Sequence, residues 1–253
     1  MTRAAAWAVR AGVSAVALTV LAGALSGCGA SPTELGPTGV DELTIPTPSP
    51  DPADFVGHAT NVWFPLVVGT RWTYRQDTPT SRRIVEAEVM PQRRLIAGVV
   101  TTTVRWQVRS GGSAETVMLR WYAVDRDGNV WWFGQRVLGH GPPLDRLAAT
   151  SFQAGKDGAE AGLVLTSTPR VGDGYLNAQQ PHVVERRSTV LGLKATVATS
   201  RQTFHPAVVT RDLSTLDPLH TVLTYYVRGI GMVAQEDTKA TSTSLALLRV
   251  RGP

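Results

Sequence analysis

Apolar and polar residues alternate along much of this chain with a period of two. Ile84, Glu86 and Glu88 interleave with Val85, Ala87 and Val89, and Thr103, Arg105, Gln107 and Arg109 interleave with Val104, Trp106 and Val108. Successive side chains of a strand point to opposite faces, so this pattern predicts half-buried antiparallel strands. Further strand-like runs lie near 70–76, 116–125, 129–138, 182–191, 206–211, 221–228, 231–237 and 243–251, with Gly, Pro or Asp between them. After the first segment no clean helical stripe with caps occurs. The expected fold is therefore all-β: a single antiparallel domain over residues 55–253 with about eight to ten strands, curled into a barrel, half-barrel or sandwich. Residues 139–181, rich in Gly and Pro, read as a loop.

The strongest local signal is a hairpin at Asp125-Arg126-Asp127-Gly128. Asp at the first position of a type I turn and Gly at the fourth, where a left-handed residue is needed, fix the pairing. In that register Trp121 faces Phe133 and Ala123 faces Trp131 on one side. Tyr122 faces Trp132 and Val124 faces Val130 on the other. Both faces are apolar, so the hairpin is either covered twice or covered once and open to a ligand on its second side. Trp121, Tyr122, Trp131, Trp132 and Phe133 are accordingly the candidate ligand contacts.

The first residues break the alternation. Arg3 and Arg10 precede an apolar run from Ala11 to Leu25. Fifteen residues is short of the roughly 20 that span a bilayer, and the run reads as a removable export signal covering residues 1–27. It ends in Leu25-Ser26-Gly27-Cys28, which resembles the lipobox of bacterial lipoproteins. Cys28 is the chain's single cysteine, so no internal disulfide framework exists. The resemblance implies a diacylglyceryl group on Cys28, with palmitate-type chains holding the protein on the outer face of the cell membrane. Two such chains suffice for stable attachment. Residues 28–54 follow as an acidic, proline-rich tether. Six prolines and five carboxylates, with no basic residue, give it too little apolar surface to fold alone.

Composition sharpens the charge picture. The whole chain carries +5, but 23 basic and 15 acidic side chains fall in residues 55–253, leaving the domain at +8. A basic domain held near a membrane is drawn to anionic lipid or wall polymer. Its arginines are scattered, however, and nucleic acid is no partner for a domain that faces away from the cytoplasm.

Motifs of catalysis and cofactor binding are missing from the sequence. Gly229-Ile230-Gly231-Met232-Val233-Ala234 matches a dinucleotide fingerprint in letters, but strand follows it where a helix is required. No Gly-x-Ser-x-Gly or Ser-x-x-Lys appears, and the five histidines lack metal-ligand spacing. Asp125, Asp127 and Asn129 superficially suggest a calcium loop, yet glycine is fourth rather than sixth and the twelfth residue is Arg136, not glutamate. No catalytic, cofactor-binding or metal residue is expected, and the chain is read as no enzyme.

Several segments together resemble a group of uncharacterised bacterial lipoproteins best represented in actinobacteria. They are Phe64-Pro65-Leu66 with Gly69-Thr70-Arg71-Trp72-Thr73-Tyr74, Trp121-Tyr122-Ala123-Val124-Asp125 through Gly128-Asn129-Val130-Trp131-Trp132-Phe133-Gly134, Gly155-Lys156-Asp157-Gly158-Ala159, Val171-Gly172-Asp173, and Tyr225-Tyr226-Val227-Arg228-Gly229-Ile230-Gly231-Met232-Val233. Trp132 departs from the pattern, which has tyrosine there, and the body is richer in arginine. The resemblance implies a lipid-anchored, β-rich envelope domain and no reaction. The leading expectation is a binding domain for an apolar ligand, an acyl chain or lipid. The alternative is an envelope protein-interaction or scaffold module without a small-molecule site.

Overall fold

A computed structural model describes residues 50–253 apart from 56, 58, 111–112, 139–149 and 239–243. The signal segment, Cys28 and the chain up to residue 49 lie outside the described residues. Thirteen strands follow one another: β1 (Arg71–Asp77), β2 (Arg82–Ile96), β3 (Val99–Ser110), β4 (Ser113–Val124) and β5 (Val130–Leu138). Next come the two-residue β6 (Phe152–Gln153), β7 (Glu160–Leu165), β8 (Gly174–Gln180) and β9 (Val184–Ala198). The series ends with β10 (Thr203–Ser214), β11 (Asp217–Val227), β12 (Gly231–Asp237) and β13 (Ser244–Arg251). The only helix among the described residues is the single 3₁₀ turn Pro52–Asp54.

Every pairing is antiparallel, and the pairings close on themselves. Neighbours run from β1 through β2, β3, β4 and β5 to β7, then through β8 to β13, which pairs back onto β1 with Arg71 opposite Arg251. Twelve strands thus form a closed barrel, with β6 hydrogen-bonded beside β5. The all-β antiparallel fold is as the alternation predicted, and the barrel is the form it takes rather than a half-barrel or sandwich. The strand count is higher than expected because residues 139–181 contain β6, β7 and β8. The pairings of β7 are short: it meets β8 over two residue pairs and β5 over three.

The period of two sorts residues between wall and lumen. Trp72 and Tyr74 of β1 and Val85, Ala87 and Val89 of β2 are buried inward. The opposite face of the same strands carries cross-strand ion pairs, Arg71–Glu88 at 2.6 Å, Arg105–Glu88 at 2.5 Å and Arg109–Glu86 at 3.1 Å. A membrane-spanning barrel has the reverse arrangement, an apolar outer band around a polar interior. This wall faces water.

A second apolar cluster covers the outer side of the β4–β5 hairpin and extends to Val190, Val208 and Tyr226. β2 carries extra residues around Pro91, where pairing jumps from Val89–Val104 to Arg93–Thr102. Proline has no N–H for the ladder, so a bulge tolerates it. Beyond the bulge the hairpin turns at Ala97 and Gly98, both at positive φ (47° and 80°), and brings Ile96 and Val99 into the cluster that holds Trp121, Trp131 and Phe133. Phe55 joins from the N-terminal side, edge-on to Phe133 at 5.3 Å and to Trp131 at 6.2 Å. The backbone N–H of Arg126 donates to the Asp54 carbonyl (2.7 Å) and its guanidinium pairs with the Asp54 carboxylate (2.7 Å), pinning this segment to the hairpin turn.

Candidate functional site

Eleven of the twelve ring strands, all but β13, send side chains into one cavity, which therefore occupies the barrel lumen. One end is closed by a non-strand segment preceding β1. There Asn61 donates to the Gly128 carbonyl (2.8 Å), the Trp63 indole to the Ser167 carbonyl (3.2 Å), and the Gly229 N–H to the Val62 carbonyl (2.7 Å). These partners sit on the β4–β5, β7–β8 and β11–β12 turns, which an antiparallel ring places at the same end. The Asn61 side chain also accepts from the Trp63 and Phe64 N–H groups (2.8 and 3.0 Å), a local turn that projects Phe64, Pro65 and Leu66 into the lumen as a plug. Phe64 rests on Tyr122 with ring centroids 5.1 Å apart.

The lumen lining is part apolar and part polar. Next to the plug stand Trp72, the second residue of β1, and Met232, the second of β12. Their neighbours' polar atoms are satisfied within the wall, the Trp72 indole on the Ile230 carbonyl (2.7 Å) and the Tyr74 hydroxyl on the Met232 carbonyl (3.0 Å). Toward the far end stand Arg186, Asp212 and Gln235, each the third residue from the distal end of its strand. Asp212 is held by hydroxyls: Ser188 (2.5 Å) and Thr210 (3.0 Å) donate to one oxygen and Thr224 (2.5 Å) to the other. Burial pushes the Tyr74 and Tyr226 phenols far above their ordinary range, and the Asp212 carboxylate adds to it at Tyr226, so both stay neutral.

Two arginines share one ring. Arg120 lies with its guanidinium carbon 5.6 Å from the centroid of Trp132, and Arg186 with its own 5.9 Å from the same centroid. Arg120 also lies over Trp106 at 5.1 Å. Burial pulls the Arg186 guanidinium below its ordinary value and the charge of Arg120 pulls further the same way, while Asp212 opposes both. It stays charged at neutral pH. The free space beside these groups is about 100 Å³. A wider groove of about 850 Å³ runs between the plug segment and the β2–β3 hairpin, and Pro65 and Leu66 form the wall common to both spaces.

The five hairpin aromatics divide between two environments. Tyr122 and Trp132 line the lumen; Trp121, Trp131 and Phe133 belong to the outer cluster. The register is Val124–Val130, Ala123–Trp131 and Tyr122–Trp132 as the turn dictated, but a bulge then sets Trp121 opposite Gly134 rather than Phe133. Gly134 adopts φ 144°, and a Cβ there would lie 2.4 Å from the Phe152 carbonyl oxygen, so β6 reaches β5 only because this residue has no side chain. The turn itself closes with the Gly128 N–H on the Asp125 carbonyl (3.0 Å). The Asp125 carboxylate accepts from the Asp127 and Asn129 N–H groups, the Asn129 amide and the Trp131 indole at 2.8–3.0 Å. Four N–H donors engage both oxygens of the loop that superficially suggested calcium.

Arg120, Arg186, Trp106 and Asp212 were not singled out from the sequence. Arg120 had a usable signal, since it stands two residues from Tyr122 and a strand places both on one face. Arg186 and Arg187 are adjacent, and nothing local says which of them turns inward.

The geometry defines a closed antiparallel barrel with an aromatic, partly charged lumen. No protein-family model matches the chain, and no curated protein matches it. Among solved structures it is similar to a candidate exported protein with a YmcC-like fold from Bacteroides fragilis, at 13% identity over 76% of this chain and 100% of that one, with a TM-score of 0.44. It is likewise similar to a candidate lipoprotein from Parabacteroides distasonis, at 9% identity over 77% of this chain and 100% of that one, again with a TM-score of 0.44.

Proposed function

We propose that this protein is a non-enzymatic binding domain of the cell envelope, tethered by lipid on Cys28 to the outer face of the membrane, whose lumen takes the apolar part of a ligand such as an acyl chain. The observation that carries this reading is the lumen itself: aromatic walls and free space at the core of a barrel whose exterior is charged. An engineered apolar cavity of about 150 Å³ takes one benzene ring, so 100 Å³ takes only a few carbons of a chain. A longer chain needs Pro65 and Leu66 to move aside and join the lumen to the outer groove. Asp212, the one carboxylate in the lumen lining, is committed to three hydroxyls and has no histidine or cysteine beside it in that lining, which supports binding over catalysis.

Lipid extraction and mass spectrometry of the natively purified protein should recover an acyl-bearing molecule in stoichiometric amount. Medium-chain amphiphiles should quench or shift tryptophan fluorescence saturably. Failure of both would sink the reading. Anchoring is tested separately: Cys28→Ala should retain the signal segment and lose lipid, and an unchanged mature N-terminal mass would refute it. The scaffold reading keeps one observation in its favour, the cross-strand pair Leu95 and Val100 at the β2–β3 tip, 68% and 64% exposed. Protein partners and anionic wall polymer would meet such an outer surface rather than the lumen.

A further inference from the structure

Inside the lumen, two buried donors, Arg120 Nε and the Trp106 indole N–H, have no acceptor. Arg120 and Arg186 bring two guanidiniums within 6 Å of the Trp132 ring. Among the described residues neither forms an ion pair. Arg120 makes one weak contact, 3.9 Å to the Met118 sulfur, and its Nε finds no acceptor. The indole N–H of Trp106, beneath Arg120, is also buried with no acceptor. Asp212 does not balance the charge: its oxygens are occupied by Ser188, Thr210 and Thr224, and two cations against one anion leave the lumen positive. Unpaired charge and unmet donors inside a protein are costly, and like charges near each other add to that cost. A wall built this way stands in an unfavourable state until an anion arrives.

From these donors we propose that the lumen recognises the oxyanion head of an amphiphile, a carboxylate or a phosphate, seated on Trp132 between Arg120 and Arg186. The inference rests on the reading of the lumen as an acyl-chain site and names which end of the ligand goes where. The planar guanidinium fork matches both oxyanions, and the Trp106 N–H supplies a further donor. The tail then points to the plug, where Trp72, Met232 and Phe64 give it apolar walls, and toward the groove behind Pro65 and Leu66.

The test uses the mature protein and four ligands of one chain length: dodecanoate, dodecyl phosphate, dodecanol and dodecyltrimethylammonium, titrated against tryptophan fluorescence with competition to give Kd. One charge-assisted pair corresponds to about tenfold or more in affinity. Wild type should therefore bind one of the anions at least about tenfold more tightly than the alcohol, and the ammonium weakest of all. Preference for dodecanoate assigns a carboxylate head and preference for dodecyl phosphate a phosphate head, both in favour of the proposal. Arg120→Met and Arg186→Met should each remove most of the anion preference and leave dodecanol binding in place. Arg186→Lys, which keeps charge and fold, should retain part of it. Urea unfolding of the methionine variants shows whether they fold, and loss of an unpaired buried charge should leave them at least as stable as wild type. Dodecanol binding as tightly as both anions, or an anion preference that survives both methionine variants, overturns the oxyanion site while sparing the apolar-ligand reading. If none of the four ligands binds, the apolar-ligand reading itself falls, and the head-group assignment with it.

Discussion

The two faces of the β4–β5 hairpin are buried to nearly the same degree and are built for different purposes. On the outer face Phe133 is 1% exposed and Trp131 6%, while on the inner face Trp132 is 5% exposed. Accessible area alone cannot separate them. What differs is the company each keeps. Phe133 and Trp131 are enclosed by Phe55 and by aliphatic residues such as Ile96, Val99 and Leu163, which have no alternative state to adopt. Trp132 stacks edge-on against Phe152 at 4.9 Å on one side and meets two guanidiniums and free volume on the other. The outer face is closed packing, and the inner face leaves its ring beside charge and free volume.

The largest effect should come from emptying the outer face. Phe133→Ala should cost about 3–5 kcal/mol in urea unfolding, as for other fully buried aromatics. A loss below about 1 kcal/mol would show that the outer cluster collapses around the gap and is no rigid core. Gly134→Ala should cost about 2–4 kcal/mol, since positive φ and contact with Phe152 act together. Circular dichroism and unfolding midpoints would check it, and near-wild-type stability would mean that β6 does not depend on the bulge.

Next in size is the contrast between neighbours. Trp131→Ala should lose several kcal/mol, about 3 or more, with and without ligand. Trp132→Ala should lose roughly half as much in the empty protein, but it should abolish most of the thermal stabilisation that dodecanoate or dodecyl phosphate confers. Equal losses, with no ligand response in wild type, would erase the distinction between the faces.

The smallest effect belongs to the outer wall. Burial raises the Glu88 carboxyl, yet hydrogen bonds and charge from Arg71 and Arg105 outweigh it and hold the group below its usual range. A folded-state value below the unfolded one stabilises the protein above the unfolded pKa of about 4.3 and fades as pH falls through the lower folded value. Glu88→Gln should therefore lose up to about 1 kcal/mol at pH 7, limited because Arg71 is 60% exposed, and converge with wild type in stability once pH has fallen through that lower folded value. A gap that persists after the carboxyl has titrated in the folded protein would assign the loss to packing instead.

Much of this architecture was legible beforehand because it is local. Asp125 and Gly128 set the hairpin register, and alternation marked Val85, Ala87 and Val89, and Val104, Trp106 and Val108, each as one face of its strand. What could not be read was whatever depends on closure. β7 is held by three pairs to β5 and two to β8, too few to impose a pattern on its part of the sequence, and it exists as a strand because the ring between β5 and β8 must be bridged. The same holds for the site. Period two places Arg120 beside Tyr122, but only a closed ring makes that face an interior and brings Arg186 from a distant strand to the same indole.

The pairing of β1 with β13 also sets an order of events. Arg71 and Arg251 come from opposite ends of the barrel's sequence, so the ring cannot shut until β13 is present. Topologies dominated by distant pairings fold slowly. A chain delivered N-terminus first through a membrane would expose β1 long before its partner and remain open in the meantime, unable to jam the passage with finished structure. Once β13 arrives, the two remaining strand edges disappear in one step, and with them the surface on which unfinished copies could pair with one another.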